Sequence, residues 1–162
     1  REVVAWANAN GLPISVMGGG TNLLVSDKGA EGLVLCLRKL SRADATVDEA
    51  AKRFGVECLA GTSKSERLKI FLKRKLEPAL FLAGIPGDVG GGVAMNAGVG
   101  EAIRPREFVE IVDWIEVMRL EADGRVDRIE AKNLSWSYRH CEGWKPGAIV
   151  RVGISWPDEP QD

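Results

Sequence analysis

Gly84-Ile85-Pro86-Gly87-Asp88-Val89-Gly90-Gly91-Gly92-Val93-Ala94-Met95-Asn96-Ala97-Gly98-Val99-Gly100-Glu101 is the most informative stretch of this 162-residue chain. Ordering a glycine costs more backbone entropy than ordering any other residue, so glycine at this density requires a compensating gain. Close approach of the backbone to a flat ligand supplies one. The competing reading is a flexible loop, but a flexible linker carries serine or charge between its glycines. Here the intervening side chains include Ile85, Val89, Val93 and Met95.

A second glycine cluster lies upstream. Met17-Gly18-Gly19-Gly20-Thr21-Asn22 places consecutive glycines and two small polar residues between apolar runs. Such a backbone folds sharply and aims several N–H groups at one point, which suits a phosphate. An ordinary glycine turn has the same composition, so this loop alone does not decide. Two other nucleotide motifs are excluded by their spacing. GxGxxG needs glycine where Leu23 stands, and Gly61-Thr62-Ser63-Lys64 has the wrong order for GxxxxGK[ST].

Around these clusters the pattern predicts an α+β chain. A first helix carries Val3, Trp6 and Ala7 at helical spacing and ends near Asn10-Gly11. Pro13 introduces a strand over Ile14 to Met17. Leu23-Leu24-Val25 and Leu33 to Leu37 read as buried strands. Ala43 to Val47 and Phe54 to Ala60 read as further strands, with a helical turn as the alternative over Asp48 to Phe54. Ser63 and Glu66 have capping-box spacing, Leu68, Leu72 and Leu76 mark one face of the helix that follows, and Pro78 ends it. Ala79 to Ala83 reads as a short apolar turn. Ile111 to Leu120 resumes as a strand, Asp123-Gly124 turns it back through Val126 and Ile129, and Ala148 to Trp156 is the last strand. Helices and strands do not alternate regularly enough for a doubly wound sheet.

Composition bounds the rest. The length suits one domain that buries roughly 70% of its unfolded surface. Twenty-two basic and twenty-three acidic residues leave no global field for nucleic acid or an acidic membrane, so an anionic ligand is held locally. Cys36, Cys58 and Cys141 form no CxxC pair and read as reduced thiols, which points to the cytoplasm. Adjacent His140 and Cys141 diverge on an extended backbone, and no metal-ligand spacing occurs. The tryptophans read as packing anchors, and Lys73-Arg74-Lys75 as a solvated helix end. No apolar run reaches the roughly 18 residues of a membrane span. The helix that begins at once and the closing Pro157-Asp158-Glu159-Pro160 suggest a fragment of something longer.

Taken together, MGGGTNLLVSD (Met17 to Asp27), FLAGIPGDVGGGVAMNAG (Phe81 to Gly98) and SYRH (Ser137 to His140) resemble the UDP-N-acetylenolpyruvoylglucosamine reductases of bacterial cell-wall synthesis, the MurB family, in content, order and spacing. The resemblance implies the FAD-binding fold of the vanillyl-alcohol oxidase / p-cresol methylhydroxylase type, made of two small α+β subdomains and truncated. Residues 1–62 would be the first subdomain without its front strands, 63–157 the second, and 158–162 a linker to an absent substrate-binding domain.

It also implies site roles. Gly18, Gly19, Gly20, Thr21 and Asn22 wrap the FAD diphosphate, with Leu23 beside them. Ile85, Pro86, Gly87, Val89, Gly90, Gly91, Asn96, Ala97, Gly98 and Ile149 line the remaining cofactor. Tyr138 and Arg139 face substrate, and Arg139 is the catalytic candidate. Its permanent charge and forked donors suit an enolpyruvyl carboxylate or the enolate-like species formed on hydride addition. The implied reaction uses NADPH as co-substrate and converts UDP-N-acetylglucosamine enolpyruvate to UDP-N-acetylmuramate, as a cytoplasmic monomer without metal, nucleic-acid or membrane partners. The family's proton donor, a serine or cysteine, and its assisting glutamate lie in the substrate domain, beyond this match. A non-catalytic FAD- or nucleotide-sugar-binding module, or a flavin oxidase of the same fold, is the alternative. Trp136-Ser137 stands where the family more usually has Phe-Gly before its Tyr-Arg pair.

Overall fold

The computed structural model of the chain describes residues 1–100, 102–121 and 124–161. In chain order its helices are α1 (Glu2–Ala9), α2 (Lys64–Lys73), α3 (Pro78–Gly84) and α4 (Val89–Ala94). Its strands are β1 (Ile14–Met17), β2 (Leu33–Cys36), β3 (Ala43–Asp48), β4 (Arg53–Leu59), β5 (Val112–Met118), β6 (Val126–Glu130), β7 (Ser135–Ser137), β8 (His140–Glu142) and β9 (Ala148–Pro157).

The last strand organises the main sheet. β9 lies at the centre of the 5-stranded order β3-β4-β9-β5-β6, in which every neighbouring pair is antiparallel. Its central position follows from its content, since Val152 and Ile154 are buried and Gly153 carries no side chain. A Cβ at Gly153 would stand 2.2 Å from Cε2 of Trp114, so the indole packs directly on the β9 backbone. β1 and β2 form a separate parallel pair, and β7 and β8 a small hairpin.

One face of the sheet carries the helices. Phe54, Val56 and Cys58 alternate inward along β4 and are buried, as period-two side-chain direction requires. Phe54 meets Phe71 of α2 edge-on at 5.6 Å, and Phe81 of α3 meets Phe108 at 5.4 Å. These rings and the β5 and β9 side chains form one apolar cluster.

Several sequence expectations change. Leu23-Leu24-Val25 is not a strand and is exposed, because among the described residues β1 pairs with β2 and no strand pairs with this run. The buried residues of α2 are Arg67 and Phe71; Leu72 is exposed and Leu76 packs after the helix has ended. Pro78 opens α3 instead of closing α2. Proline at a first helical position loses no hydrogen bond, so Ala79 to Ala83 continues as helix. Trp6 is 54% exposed, while Trp114 is buried and Trp136, Trp144 and Trp156 pack on the core. Strand pairing crosses residue 62, since β3 and β4 join the sheet built by β5 and β9, so the expected division there coincides with no break in the sheet. The expected turn at Asp123-Gly124 involves Asp123, which lies outside the described residues, although Gly124 has the positive φ of 64° that such a turn uses.

The capping box at the start of α2 forms as its spacing predicts. Ser63 Oγ accepts from the Glu66 amide, and the Glu66 carboxylate accepts from the Ser63 amide at 3.0 Å. That backbone hydrogen bond holds the Glu66 carboxyl below its ordinary pKa. Because folding lowers the pKa, the contribution is present above the unfolded carboxylate pKa and fades as pH falls through the depressed value. Ser63→Ala, which removes the Oγ that accepts from the Glu66 amide, is expected to lower the unfolding free energy by about 1 kcal/mol, and Glu66→Gln, which removes the titrating carboxylate, to lower it at neutral pH by a margin that narrows in acid. Urea titrations across the carboxylate range measure it, and a constant margin contradicts the assignment.

Candidate functional site

The two glycine-rich segments face each other across a cleft of about 420 Å³, a volume within the roughly 300–1,000 Å³ of small-molecule sites. Val16 to Leu23 form one wall. Gly84 to Pro86, Asp88 and the exposed side of α4 form the other, with Ala97, Gly98 and Arg139 at one end.

Backbone contacts fix the second wall. The Val89 amide donates to the Thr62 carbonyl at 3.1 Å and the Gly90 amide to the Ala60 carbonyl at 2.9 Å, so α4 starts directly on the end of β4. Val89 and Val93 are buried, and a Cβ on Gly90 would stand 2.9 Å from that of Ala60. Asp88, Gly91 and Met95, at helical spacing on the opposite side, line the cleft. Gly91 would direct a Cβ into open space. At the turn before α4, Gly87 has φ +83°, and a Cβ there would meet Thr21 Oγ1 at 2.6 Å. The two walls touch at that point.

Arg139 arrives on the β7–β8 hairpin, in the two-residue turn between paired Ser137 and His140. It has a φ of 55°, its Nη2 donates to the Gly98 carbonyl at 2.9 Å, and its guanidinium lies 5.0 Å from the Tyr138 ring. Asn96 locks this hairpin to the second glycine segment. Its Nδ2 donates to the Ser137 carbonyl at 3.0 Å and to Glu107 Oε2 at 3.1 Å, while its Oδ1 accepts from the Val109 amide at 3.0 Å.

The structure divides the predicted site residues into two groups. Gly18, Gly19, Gly20, Thr21, Asn22, Leu23, Ile85, Pro86, Gly91, Ala97, Gly98 and Arg139 come together around the cleft. Gly87, Val89, Gly90 and Asn96 sit behind it, as packing and hydrogen-bonding support. Ile149 is buried in the core, paired with Val117, and does not line the cleft. Tyr138 is 80% exposed beside Arg139. Val16, Met17, Gly84, Gly92, Ala94 and Met95 also line the cleft and were not anticipated, as does Asp88, which lies inside the expected Ile85 to Gly91 segment. Reading α4 as a helix would have revealed Asp88 and Met95, spaced i−3 and i+4 from Gly91.

Burial accounts for the titrating groups near the core. It pushes the Cys58 thiol up to about 12 and the Cys141 thiol to about 11, which makes both poor nucleophiles. It also lowers the Arg67 guanidinium to about 10. Among the described residues no group of three or more His, Cys, Asp or Glu is placed to hold a metal, and no helix is long and apolar enough to cross a membrane.

An antiparallel α+β sheet backed by helices, with a cleft walled by two glycine segments, defines the class of FAD-binding domains shared with vanillyl-alcohol oxidase. The chain belongs to the FAD binding domain family, whose pattern matches residues 1–130. Its relatives include the UDP-N-acetylenolpyruvoylglucosamine reductase of Limosilactobacillus fermentum (strain NBRC 3956 / LMG 18251), 34% identical over 152 residues, 93% of this chain and 46% of that protein. The protein of the same name from Streptococcus pneumoniae (strain Hungary19A-6) is 35% identical over 149 residues, 92% of this chain and 46% of its own length. The crystal structure of the MurB reductase from Thermus caldophilus superposes with a TM-score of 0.68 at 29% identity, covering 92% of this chain and 50% of that one. A solvent-stable cholesterol oxidase shares the fold, with a TM-score of 0.64 at 17% identity over 96% of this chain and 32% of its own. The chain thus spans about half the length of the curated relatives it matches.

The cleft fits the family's cofactor on structural grounds. Gly20 and Gly91 line it, and a Cβ at either would meet nothing within 4 Å, which leaves open space against the backbone of both walls. Gly91→Leu is expected to leave the unfolding midpoint near wild type and to weaken FAD binding by about tenfold or more. Gly90→Leu, which drives a side chain into Ala60, is expected to destabilise the fold by about 1–3 kcal/mol. Thermal unfolding and flavin fluorescence titration of both variants check this, and equal destabilisation by the two substitutions contradicts the assignment of faces.

Proposed function

We propose that this chain is the FAD-holding part of a reductase that converts UDP-N-acetylglucosamine enolpyruvate to UDP-N-acetylmuramate with NADPH, in cytoplasmic synthesis of peptidoglycan precursors. The observation that carries the reading is the junction of a glycine-walled cleft with Arg139, docked on Gly98 at its end. The names of the relatives supply the reaction.

In this reading the backbone amides of Gly18 to Asn22 hold the diphosphate, which lets a chain with almost no net charge bind an anion. Ile85, Pro86, Gly91, Ala97 and Gly98 contact the flavin, and their small or rigid side chains let the backbone approach a flat ring. Gly87, Val89, Gly90 and Asn96 act from behind, by holding α4 and the hairpin in register. Bound FAD supplies the hydride chemistry. Arg139 supplies charge. Its hydrogen bond to Gly98 fixes one donor, and the remainder of its five-donor fork is directed to the substrate carboxylate, where negative charge grows as hydride adds to the neighbouring double bond. Tyr138, largely exposed, stacks against the guanidinium and presents its hydroxyl to the same substrate. Protonation of the carbon next to the carboxylate requires a donor outside these residues.

Two measurements test the reading. The purified chain is expected to take up FAD, with flavin absorbance that co-purifies or a rise in unfolding temperature that follows the logarithm of FAD concentration. In a protein that joins this domain to the remaining length of its relatives, Arg139→Ala is expected to slow flavin reoxidation by the enolpyruvyl substrate by about a hundredfold and to spare flavin reduction by NADPH. Equal slowing of both half-reactions in stopped flow removes Arg139 from the role given to it.

A further inference from the structure

Arg67 and Asp88 each carry a buried side-chain atom with no hydrogen-bond partner among the described residues, Nη1 of the guanidinium and Oδ2 of the carboxylate. An orphaned charged atom is unfavourable wherever water is excluded, and two of opposite sign, on groups linked through the Gly87 carbonyl, call for a common explanation. Arg67 is fully buried on α2. Its Nε donates to the Ser63 carbonyl at 3.2 Å and its Nη2 to the Gly87 carbonyl at 3.0 Å, and its guanidinium lies 5.7 Å from the centre of the Phe108 ring. The fork is therefore pinned one residue from Asp88, whose charge it feels.

Asp88 points the other way. A Cβ built on Gly18 would stand 3.1 Å from Asp88 Oδ2, and one on Gly19 would stand 3.4 Å from it. The carboxylate thus rests against the loop to which the preceding reading assigns the diphosphate. Like charges at such separations repel strongly where the medium is not bulk water. Arg67 holds the carbonyl of Gly87, the residue before Asp88, so its open nitrogen is the counter-charge available to a carboxylate that leaves the loop.

We propose that Asp88 is a specificity-determining residue that sets the anion affinity of the glycine cleft, opposing phosphate at Gly18-Gly19 until its carboxylate turns to Nη1 of Arg67. The proposal rests on the FAD reading above. It gives both orphan atoms a partner in the liganded state and makes Arg67 the counter-charge that removes the carboxylate from the loop. Asp88 is then a regulator of affinity, and no chemistry passes through it.

The test compares wild type with Asp88→Asn and Asp88→Ala, titrated with FAD, ADP and riboflavin in the presence and absence of magnesium. Both variants are expected to bind FAD and ADP about tenfold tighter than wild type, while riboflavin, which has no phosphate, changes by less than about twofold. Inorganic pyrophosphate is expected to shift the Arg67 Nε–H resonance in wild type and to leave it unmoved in Asp88→Asn. Unchanged or weaker FAD binding in both variants overturns the proposal, as does an equal gain for riboflavin. A magnesium-dependent gain in wild type that disappears in Asp88→Asn also overturns it, because the carboxylate would then be holding a cation. If FAD binds wild type with no dependence on Asp88, this proposal alone fails; if neither wild type nor variants bind FAD, the underlying reading fails with it.

Discussion

The site depends on one constraint, the close approach of two glycine-bearing segments, tightest where a Cβ on Gly87 would stand 2.6 Å from Thr21 Oγ1. Gly87 meets the Thr21 hydroxyl, and Gly18 and Gly19 meet the Asp88 carboxylate. Side chains at these positions would push the walls apart and alter the cleft. The entropy lost in ordering these glycines is therefore offset by a close approach that, at Gly87 with its φ of +83°, glycine permits and a larger residue strains. What remains between the walls is a space bounded by glycine backbone and apolar side chains such as Met17, Ile85 and Met95, suited to a ligand recognised through backbone amides and flat contact.

The sheet makes that approach possible. β9, the last strand in sequence, is the central one in space, and it joins the β3–β4 hairpin to the β5–β6 hairpin. The end of β4 receives the start of α4 through the Ala60 and Thr62 carbonyls, so the second wall is anchored to the most buried part of the fold. Asn96 extends the same rigidity to the hairpin that carries Arg139. The second wall of the cleft and Arg139 are held by one continuous set of short contacts, which is how a small domain can position both.

Much of this was legible in sequence where the signal is local. The capping box at Ser63 and Glu66, the strand pair over Ala43 to Val47 and Phe54 to Ala60 and the last strand depend on nearby residues, and they formed as read. The first glycine loop was legible as a candidate but not as a site, since its partner lies some seventy residues away and only the fold brings Gly87 to Thr21. Leu23-Leu24-Val25 was misread because apolar content indicates a strand only where another strand is there to pair with it. Pro78 was misread because proline ends one helix and starts another with equal ease. Arg67 was invisible in sequence, as an arginine on an amphipathic helix belongs on the solvent face unless carbonyls such as those of Ser63 and Gly87 are folded against it. Ile149 and Asn96 take positions that the sequence pattern does not reveal, Ile149 buried in the sheet opposite Val117 and Asn96 hydrogen-bonded to Ser137, Glu107 and Val109.

The most direct measurement of the central claim, that FAD lies between the two glycine walls, is a map of backbone amide chemical shifts as FAD is added to the chain. The account predicts the largest changes at Gly18 to Asn22, Ile85, Gly91, Ala97 and Gly98, with smaller ones at Val89 and Gly90 and little at Ile149. Changes concentrated on the open face of the sheet, around Arg42, Glu57 and Arg151, or spread evenly over the chain, would contradict it.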